Sequence, residues 1–323
     1  MRLDDRVVLI DKPAGITSFG AVRALRRLAG IQKVGHCGSL DPNATGLLVL
    51  CTGVATRVSS LFVDLPKEYQ ARVRFGRATD SYDADGSIVE EATVPPLSEE
   101  SLRGALRHFE GEIEQTPPMV SALKHQGRRL YELAREGQTV ERAPRRVMVF
   151  EIGLRDLGAE HADIRVRCGR GCYVRSIAHD LGRQLGVPAH LEALRRTAIG
   201  PFRVEQAVRL ESLQSALRAQ RGIAGERPAV PRGVTPLAVA LESFPALYLR
   251  RPFEAAVRHG AQPEPRFFVD GPRSSGPHRL LSEDGRWLLA VCSAEGRLQF
   301  ARVRLMRVFT EPLPAFEGEA DAE

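Results

Sequence analysis

Apolar and polar residues alternate with a period of two in several segments of this 323-residue chain. Ala71, Val73 and Phe75 alternate with arginines, and the segment 164–168 repeats the pattern. This period is typical of a half-buried strand, because successive side chains point to opposite faces of a sheet. The two segments therefore predict strands that place their arginines in rows on one sheet face.

Helical spacing of apolar residues appears in four other segments. They are 17–29, 99–109, 129–136 and 174–185. Ser98 is the predicted N-cap of the second helix, with Glu99 and Glu100 in its first turn. Because strands and helices are mixed irregularly rather than in repeated βαβ units, the pattern predicts an α+β fold.

The C-terminal third predicts a second unit. Residues 220–236 are rich in Gly and Pro and lack periodicity, as in a linker or exposed loop. Four short strands are predicted after it, at 266–270, 279–282, 287–292 and 298–309. The predicted division is a large domain over 1–219, a linker and connecting helix over 220–246, a small β-barrel over 247–312 and an acidic tail over 313–323.

Composition narrows the class of protein. Hydrophobic residues make up 43% and charged residues 27%, which is typical of a chain that buries a core. No apolar run approaches the ~20 residues that span a bilayer, and the N-terminus lacks the apolar stretch of a secretory signal. These features predict a cytoplasmic protein without a membrane segment.

Motifs for metals and nucleotides are missing from the sequence. Five cysteines form no CxxC pair, and Cys168 and Cys172 lack the second ligand pair of a structural zinc site. HExxH is absent, and Gly169-Arg170-Gly171 lacks the remaining residues of a P-loop. Reduced packing cysteines and no metal are expected.

The charge is unevenly distributed. The net charge is +6, but the last thirteen residues hold five acids and no base, so residues 1–310 carry +11. The stretch 124–146 alone contains seven basic side chains and could form an arm that closes on RNA. A polyanionic partner is compatible with this charge, and so is a basic surface without function.

The densest chemical signal lies in residues 33–57. Asp41 occupies a loop punctuated by Gly and Pro, with His36 before it and the apolar run 47–50 after it. A carboxylate beside a buried element can be desolvated and steered by its neighbours, as nucleophiles are. Asp-Pro is also an everyday turn, and spacing alone favours that simpler interpretation.

The segment 35–48 (GHCGSLDPNATGLL) resembles the catalytic motif of the tRNA pseudouridine synthase B family. Further blocks of that family follow in the same order, at 11–18, 67–69, 79–86, 117–124, 127–131, 171–176, 180–182 and 194–197. The resemblance covers roughly residues 7–202. Cys37 and Cys172 stand where the family has threonine, and Ser39 where it has alanine or threonine.

The resemblance implies a pseudouridine synthase fold, with a mixed, mainly antiparallel sheet crossed by a central cleft, followed by a small PUA-like RNA-binding barrel. It also implies isomerisation of uridine to pseudouridine at position 55, in the T-loop of tRNA, with Asp41 as nucleophile. Tyr173 would contact the base and act as acid-base near carbon 5. Arg175 would pair with Asp41; without the resemblance it could be a solvent-facing helix residue.

Five further residues are expected to bind the substrate. By resemblance, Tyr69 stacks on the flipped base, His36 fills the vacated stack and Leu194 lines the uracil pocket. Asp83 lies in a family motif, and Lys12, like Lys33, Lys67, Arg145 and Arg146, is a predicted phosphate contact. Taken singly, each of these side chains could equally be core, structure or idle surface.

We expect no cofactor, because isomerisation consumes nothing, and tRNA as the partner of a monomer that needs no other protein. Two rival functions are an RNA-folding chaperone and a nucleoside or glycoside hydrolase. The hydrolase would normally need two catalytic carboxylates, for which Asp83 and Asp85 are the nearest candidates.

Overall fold

A computed structural model of the protein describes residues 3–121, 123–138, 140–220, 231–296 and 301–315. The strands are β1 (Arg6–Lys12), β2 (Val34–His36), β3 (Thr45–Thr52), β4 (Lys67–Phe75), β5 (Arg77–Thr79), β6 (Ile88–Glu91), β7 (Gly111–Gln115), β8 (Lys124–His125), β9 (Arg128–Arg129), β10 (Arg145–Leu157), β11 (His161–Cys168), β12 (Ala189–Ile199), β13 (Phe202–Arg203), β14 (Val234–Pro236), β15 (Ala246–Tyr248), β16 (Gly276–Leu281), β17 (Trp287–Glu295) and β18 (Arg302–Pro314). The α-helices are α1 (Ser18–Ala29), α2 (Ser59–Asp64), α3 (Glu99–Arg107), α4 (Leu130–Arg135), α5 (Val174–Leu185), α6 (Leu210–Gln220), α7 (Leu237–Ala240) and α8 (Arg251–Arg258).

The main sheet is mixed and mainly antiparallel, as predicted. Its strand order is β14-β1-β3-β12-β4-β11-β10-β7, with β2 and β13 attached at its side. Only β3 and β12 run parallel among its described pairs. That parallel pair joins the part of the sheet formed by β14, β1 and β3 to the part formed by β12, β4, β11, β10 and β7. The α+β class is confirmed.

One face of the sheet carries a central cleft. The register aligns Lys12, Gly46, Arg196 and Tyr69 across β1, β3, β12 and β4. Helices α1 and α6 pack on this face over β1 and β3, whereas α3 and α5 pack over β4, β11 and β10. The aligned row therefore lies between two helix pairs.

The opposite face is open over β4, β11 and β10. The predicted arginine rows lie here, and acids on adjacent strands pair with them: Arg72 contacts Asp163 at 2.7 Å, and Arg165 contacts Glu68 at 2.7 Å. Arg167 instead lies over the exposed ring of Phe150. These arginines face away from the cleft.

The four predicted helices are confirmed as α1, α3, α4 and α5. Thr17 caps α1 by accepting a hydrogen bond from the Gly20 N–H, and Ser98 caps α3 through the Ser101 N–H, as predicted. Helix α1 ends at Gly30, whose φ of 71° is left-handed. No helix within the described residues is long and apolar enough to cross a membrane.

The predicted linker is partly structured. Residues 221–230 lie outside the described residues, but β14 pairs with β1, so the prediction of a loop is wrong at 234–236. Helix α7 follows at once.

The C-terminal sheet has the order β15-β16-β17-β18 and forms a small PUA-like unit. The strands predicted at 279–282 and 287–292 are confirmed, although β16 begins three residues earlier and β17 ends three residues later than predicted, and β18 extends two residues into the predicted tail. Residues 298–300 of the last predicted strand lie outside the described part. The strand predicted at 266–270 is wrong: Pro265–Phe267 form a 3₁₀ turn, because Pro265 lacks an N–H and both Phe267 and Phe268 are buried.

Candidate active site

Asp41 sits at the start of a tight turn in the cleft. The Ala44 N–H donates to the Asp41 carbonyl at 3.2 Å, and Pro42 occupies the second position of this turn. The simple interpretation of Asp-Pro as a turn is therefore right. It is also compatible with a functional role, because the turn leaves the Asp41 side chain 40% exposed.

Two buried side chains hold the loop before Asp41. Ser18 Oγ accepts from the Leu40 N–H at 2.8 Å and donates to the Leu40 carbonyl at 3.1 Å. Arg196, only 1% exposed, donates through its Nη atoms to the carbonyls of Gly38 and Ser39 and through Nε to Leu47. Charged donors on three carbonyls fix the backbone path that delivers Asp41.

Lys12 does not fit its predicted role as a phosphate contact. Its side chain is fully buried, and Nζ donates to the carbonyls of Pro13 and Ile16 at 2.8 Å and of Pro42 at 3.0 Å. Burial lowers the pKa of Lys12 to about 8, although nearby Asp41 opposes this shift. Lys12 thus stabilises the loop that carries Asp41. Lys67 is likewise buried, with its ammonium donating to the Val63 carbonyl.

Arg175 meets Asp41 across the cleft, as the resemblance implied. Arg175 Nη2 donates to Asp41 Oδ1 at 3.3 Å, and Nε lies 3.0 Å from Oδ2 without the alignment of a hydrogen bond. The Arg175 side chain is 4% exposed and also donates to the carbonyls of Ser81 and Val120. A solvent-facing arginine is thereby excluded, and the guanidinium holds the Asp41 carboxylate in place.

Asp83 is a second carboxylate on the same guanidinium. Its Oδ2 lies 3.8 Å from Arg175 Nε, and its side chain is 11% exposed. Burial raises the pKa of Asp83 to about 6, against the opposing influence of Arg175 and of the Ala84 N–H. Asp85 is exposed, so the two acids differ sharply in environment.

The two tyrosines of the predicted site have buried or half-buried side chains. Tyr69 on β4 is 9% exposed, and burial raises the pKa of its hydroxyl to about 12. Tyr173 immediately precedes α5, and its backbone N–H and carbonyl both bind the side-chain amide of Gln115, at 2.7 and 2.9 Å. Burial also raises the pKa of Tyr173, while the nearby Ser121 hydroxyl opposes the shift. Both phenols are therefore protonated at neutral pH.

His36 and Leu194 lie on strands at the centre of the sheet. His36, on β2, is half-buried; burial and then Arg196 lower its pKa, so its ring is neutral at pH 7. Its Nδ1 is buried and has no partner among the described residues. Leu194, on β12, is half-buried and packs against the core that contains Tyr69.

Sequence reasoning missed the supporting residues Ser18, Arg196, Gln115 and Ser121. Ser18 and Arg196 fall inside blocks of the family resemblance, which was their only signal. Their partners lie 22 to 158 positions away along the chain, so no local pattern assigns them a role.

One cluster of metal-ligand type occurs among the described residues. Asp156, His161 and Asp163 offer ligand atoms within 4.8 Å of one another at the β10–β11 turn. Both oxygens of Asp163 already accept hydrogen bonds from Arg72 at 2.7 Å. The cluster contains none of the residues around Asp41.

Comparison with known families decides the affiliation. Residues 26–174 match the model of the TruB family pseudouridylate synthase N-terminal domain, and residues 175–242 match that of the tRNA pseudouridylate synthase B C-terminal domain. The chain belongs to the TruB family of pseudouridylate synthases. This TruB-family chain is 49% identical over 220 residues to tRNA pseudouridine synthase B of Chromohalobacter salexigens, covering 67% of the chain and 72% of the relative.

A second relative with that name, from Azoarcus sp. strain BH72, is 44% identical over 262 residues, covering 81% of the chain and 84% of the relative. Among solved structures, the chain resembles one described as a Cbf5-Nop10-Gar1 complex, with a TM-score of 0.74 and 26% identity over 98% of this chain and 87% of the other. The likeness to this solved structure thus extends over nearly the whole chain.

Proposed function

We propose that the protein isomerises uridine 55 in the T-loop of tRNA to pseudouridine, with Asp41 as the nucleophile. The observation that carries the proposal is the exposed Asp41 carboxylate held by the buried Arg175 in the cleft. The relatives named tRNA pseudouridine synthase B supply the substrate class. The protein would act in the cytoplasm as a monomer, without cofactor or partner protein.

The reaction breaks the bond between uracil N1 and ribose C1′, turns the base and forms a bond between C5 and C1′. The hydrogen on C5 leaves and N1 gains a proton, so the composition is unchanged. Arg175 keeps Asp41 ionised and aimed, so a carboxylate oxygen can attack the electron-poor sugar carbon or add to the uracil ring. Both routes start from the same ion pair.

The target base has to leave its stack to reach Asp41. The Tyr69 ring would stack on it, a contact worth roughly 1–3 kcal/mol per base, with Leu194 lining the pocket. The neutral His36 ring would enter the space that the base leaves. Asp83 would help to hold Arg175 in place as a second carboxylate near its Nε atom.

Tyr173 would take the proton from C5. Because its pKa is raised, its phenol carries a proton in the resting enzyme, so it would first donate that proton to N1 of the cleaved uracil and then, as the phenolate, accept the C5 proton after the C5–C1′ bond has formed. Replacing Tyr173 with Phe should therefore retain binding and lose turnover.

The test is release of tritium from a tRNA transcript labelled at uracil C5, followed by carbodiimide and primer extension to map the product. Wild type should release tritium from one T-loop uridine, and Asp41→Asn should release none. Asp85→Asn makes the same chemical change at an exposed aspartate, so it serves as the matched control and should remain active.

Other outcomes point to the rival functions. Tight tRNA binding and refolding without tritium release would favour the RNA chaperone. Liberation of free uracil would favour a hydrolase.

A further inference from the structure

Tyr82 has an unusual backbone conformation. Its φ is +62°, in the left-handed region that bulky residues rarely adopt, and it lies between the two residues Ser81 and Asp83 that contact Arg175. Strained residues of this kind persist only where the surrounding structure enforces them, and they concentrate at functional sites.

The Tyr82 ring is held by His179. The two rings are stacked, with centroids 3.9 Å apart and planes 13° from parallel. Both side chains are half-buried. On the backbone, the Tyr82 N–H donates to the Thr79 carbonyl at 3.2 Å, and the Leu191 N–H donates to the Tyr82 carbonyl at 3.0 Å.

His179 lies on α5 four residues after Arg175, so both side chains project from the same side of the helix. The segment 81–83 therefore contacts α5 at two positions that are one helical turn apart, Arg175 and His179. At Arg175, the Ser81 carbonyl accepts a hydrogen bond from Nη1 at 3.2 Å, and Asp83 Oδ2 lies 3.8 Å from Nε. One helical turn further on, Tyr82 stacks on His179.

We propose that the Tyr82–His179 stack positions Arg175 for catalysis by locking the 81–83 segment onto α5. The inference rests on the proposed function, because it assigns these residues to the machinery that aims Asp41. Neither ring contacts the carboxylate of Asp41 or its loop among the contacts described above; each acts through Arg175. Loss of the stack would let the Ser81 carbonyl and Asp83 shift, and the guanidinium would shift with them.

The test uses two pairs of variants in the full-length protein. Tyr82→Asn removes the ring but tolerates the left-handed backbone, and Tyr82→Phe keeps both. His179→Ala removes the other ring, and His179→Phe keeps it. For each, kcat and KM come from tritium release on tRNA, and Kd comes from filter binding.

We expect kcat to fall roughly 10- to 100-fold in Tyr82→Asn and in His179→Ala, because small misplacements of catalytic groups are costly. Kd should stay within about twofold of wild type, since substrate contacts are intact. Both Phe variants should retain nearly full kcat. The double variant should lose no more than the worse single variant, because both changes break one contact.

Wild-type kcat in Tyr82→Asn and His179→Ala would overturn the inference, as would losses that add in the double variant. A lower melting temperature with unchanged kcat would show a merely structural stack and would also overturn it. Should Tyr82→Asn fail to fold, His179→Ala decides the question. A wild-type protein that releases no tritium refutes the proposed function instead.

Discussion

Lys12 places a buried positive charge beneath the loop that carries Asp41. Its ammonium satisfies three carbonyls, and one of these belongs to Pro42, the residue after Asp41. A buried charge of this kind is tolerated only where such donors and acceptors are matched. Lys12 therefore links strand β1 to the turn that positions the Asp41 carboxylate.

Replacing Lys12 with Met should lower the free energy of unfolding by about 2–3 kcal/mol, because buried carbonyls lose their donor. Urea unfolding of the variant measures this loss. Lys33→Met is the matched control, since Lys33 is exposed and should affect tRNA binding more than stability. Equal stability of the two variants would show that the three hydrogen bonds contribute little.

Asp83 should make stability depend on pH. Its pKa is about 6 when folded, above the ordinary value of 3.8, so the folded protein binds a proton that the unfolded chain releases between those values. Stability is therefore lost as pH rises through that window.

Comparison with Asp83→Asn isolates this effect. Between pH 4 and pH 7 the wild type should lose about 2–3 kcal/mol relative to the variant, as the difference in pKa implies. Denaturant unfolding at both pH values measures it, and Asp85→Asn should show no such change. A pH-independent difference for Asp83→Asn would contradict the burial effect.

At the scale of single elements, β3 depends on Gly46. Its φ is +98°, and a Cβ there would lie 2.3 Å from the Arg196 carbonyl oxygen on β12. The parallel pairing of β3 with β12 at this point therefore requires glycine.

Gly46→Ala should destabilise the protein by roughly 2 kcal/mol or more, since both strain and backbone overlap oppose it. Activity should fall too, because Arg196 would move away from the Gly38 and Ser39 carbonyls. Gly104→Ala, in helix α3 with open space around its Cβ, should instead stabilise by about 0.5–1 kcal/mol. Thermal melting of both variants tests the contrast.

The sequence predicted helices α1, α3, α4 and α5 and strands β4, β11, β16, β17 and β18 because their patterns are local, but it missed most of the other described strands. Helices α1, α3 and α5 are amphipathic and carry caps or first-turn charges that sequence reveals. Strand β14 was missed because its pairing with β1 joins residues some 228 positions apart, without any alternation of its own. A strand was wrongly predicted at 266–270 because the two consecutive phenylalanines Phe267 and Phe268 are apolar residues of the kind that strands contain.

The candidate site shows the same limit. Asp41, Tyr173 and Arg175 were assigned by resemblance, and the structure brings Asp41 and Arg175 together. Burial of Lys12 and the loop-holding role of Arg196 could not be predicted, because a charged residue in a sequence gives no sign of whether tertiary structure encloses it.

At the scale of the whole molecule, the two sheets share a core. Phe309 and Leu288 of the C-terminal sheet pack in one cluster with Phe62 and Leu237 of the catalytic part. Arg307 also donates to the Arg57 carbonyl at 3.0 Å. The C-terminal sheet is therefore expected to unfold together with the main sheet.

The single tryptophan, Trp287, lies on β17 and reports on the C-terminal sheet alone. We expect the midpoint of its fluorescence change in urea to coincide with that of far-UV circular dichroism, which follows the whole chain. Phe309→Ala should lower both midpoints equally. An earlier fluorescence transition would show that the C-terminal sheet unfolds independently.

The ion-paired arginines on the open sheet face affect how the protein would respond to salt. Association with a nucleic acid releases counterions only where a cation replaces them at a phosphate. Three arginines of this face are already paired with carboxylates of the protein: Arg72 with Asp163, Arg74 with Glu160, and Arg165 with Glu68. The salt dependence of tRNA affinity should therefore be shallower than the count of 46 lysines and arginines in the chain suggests.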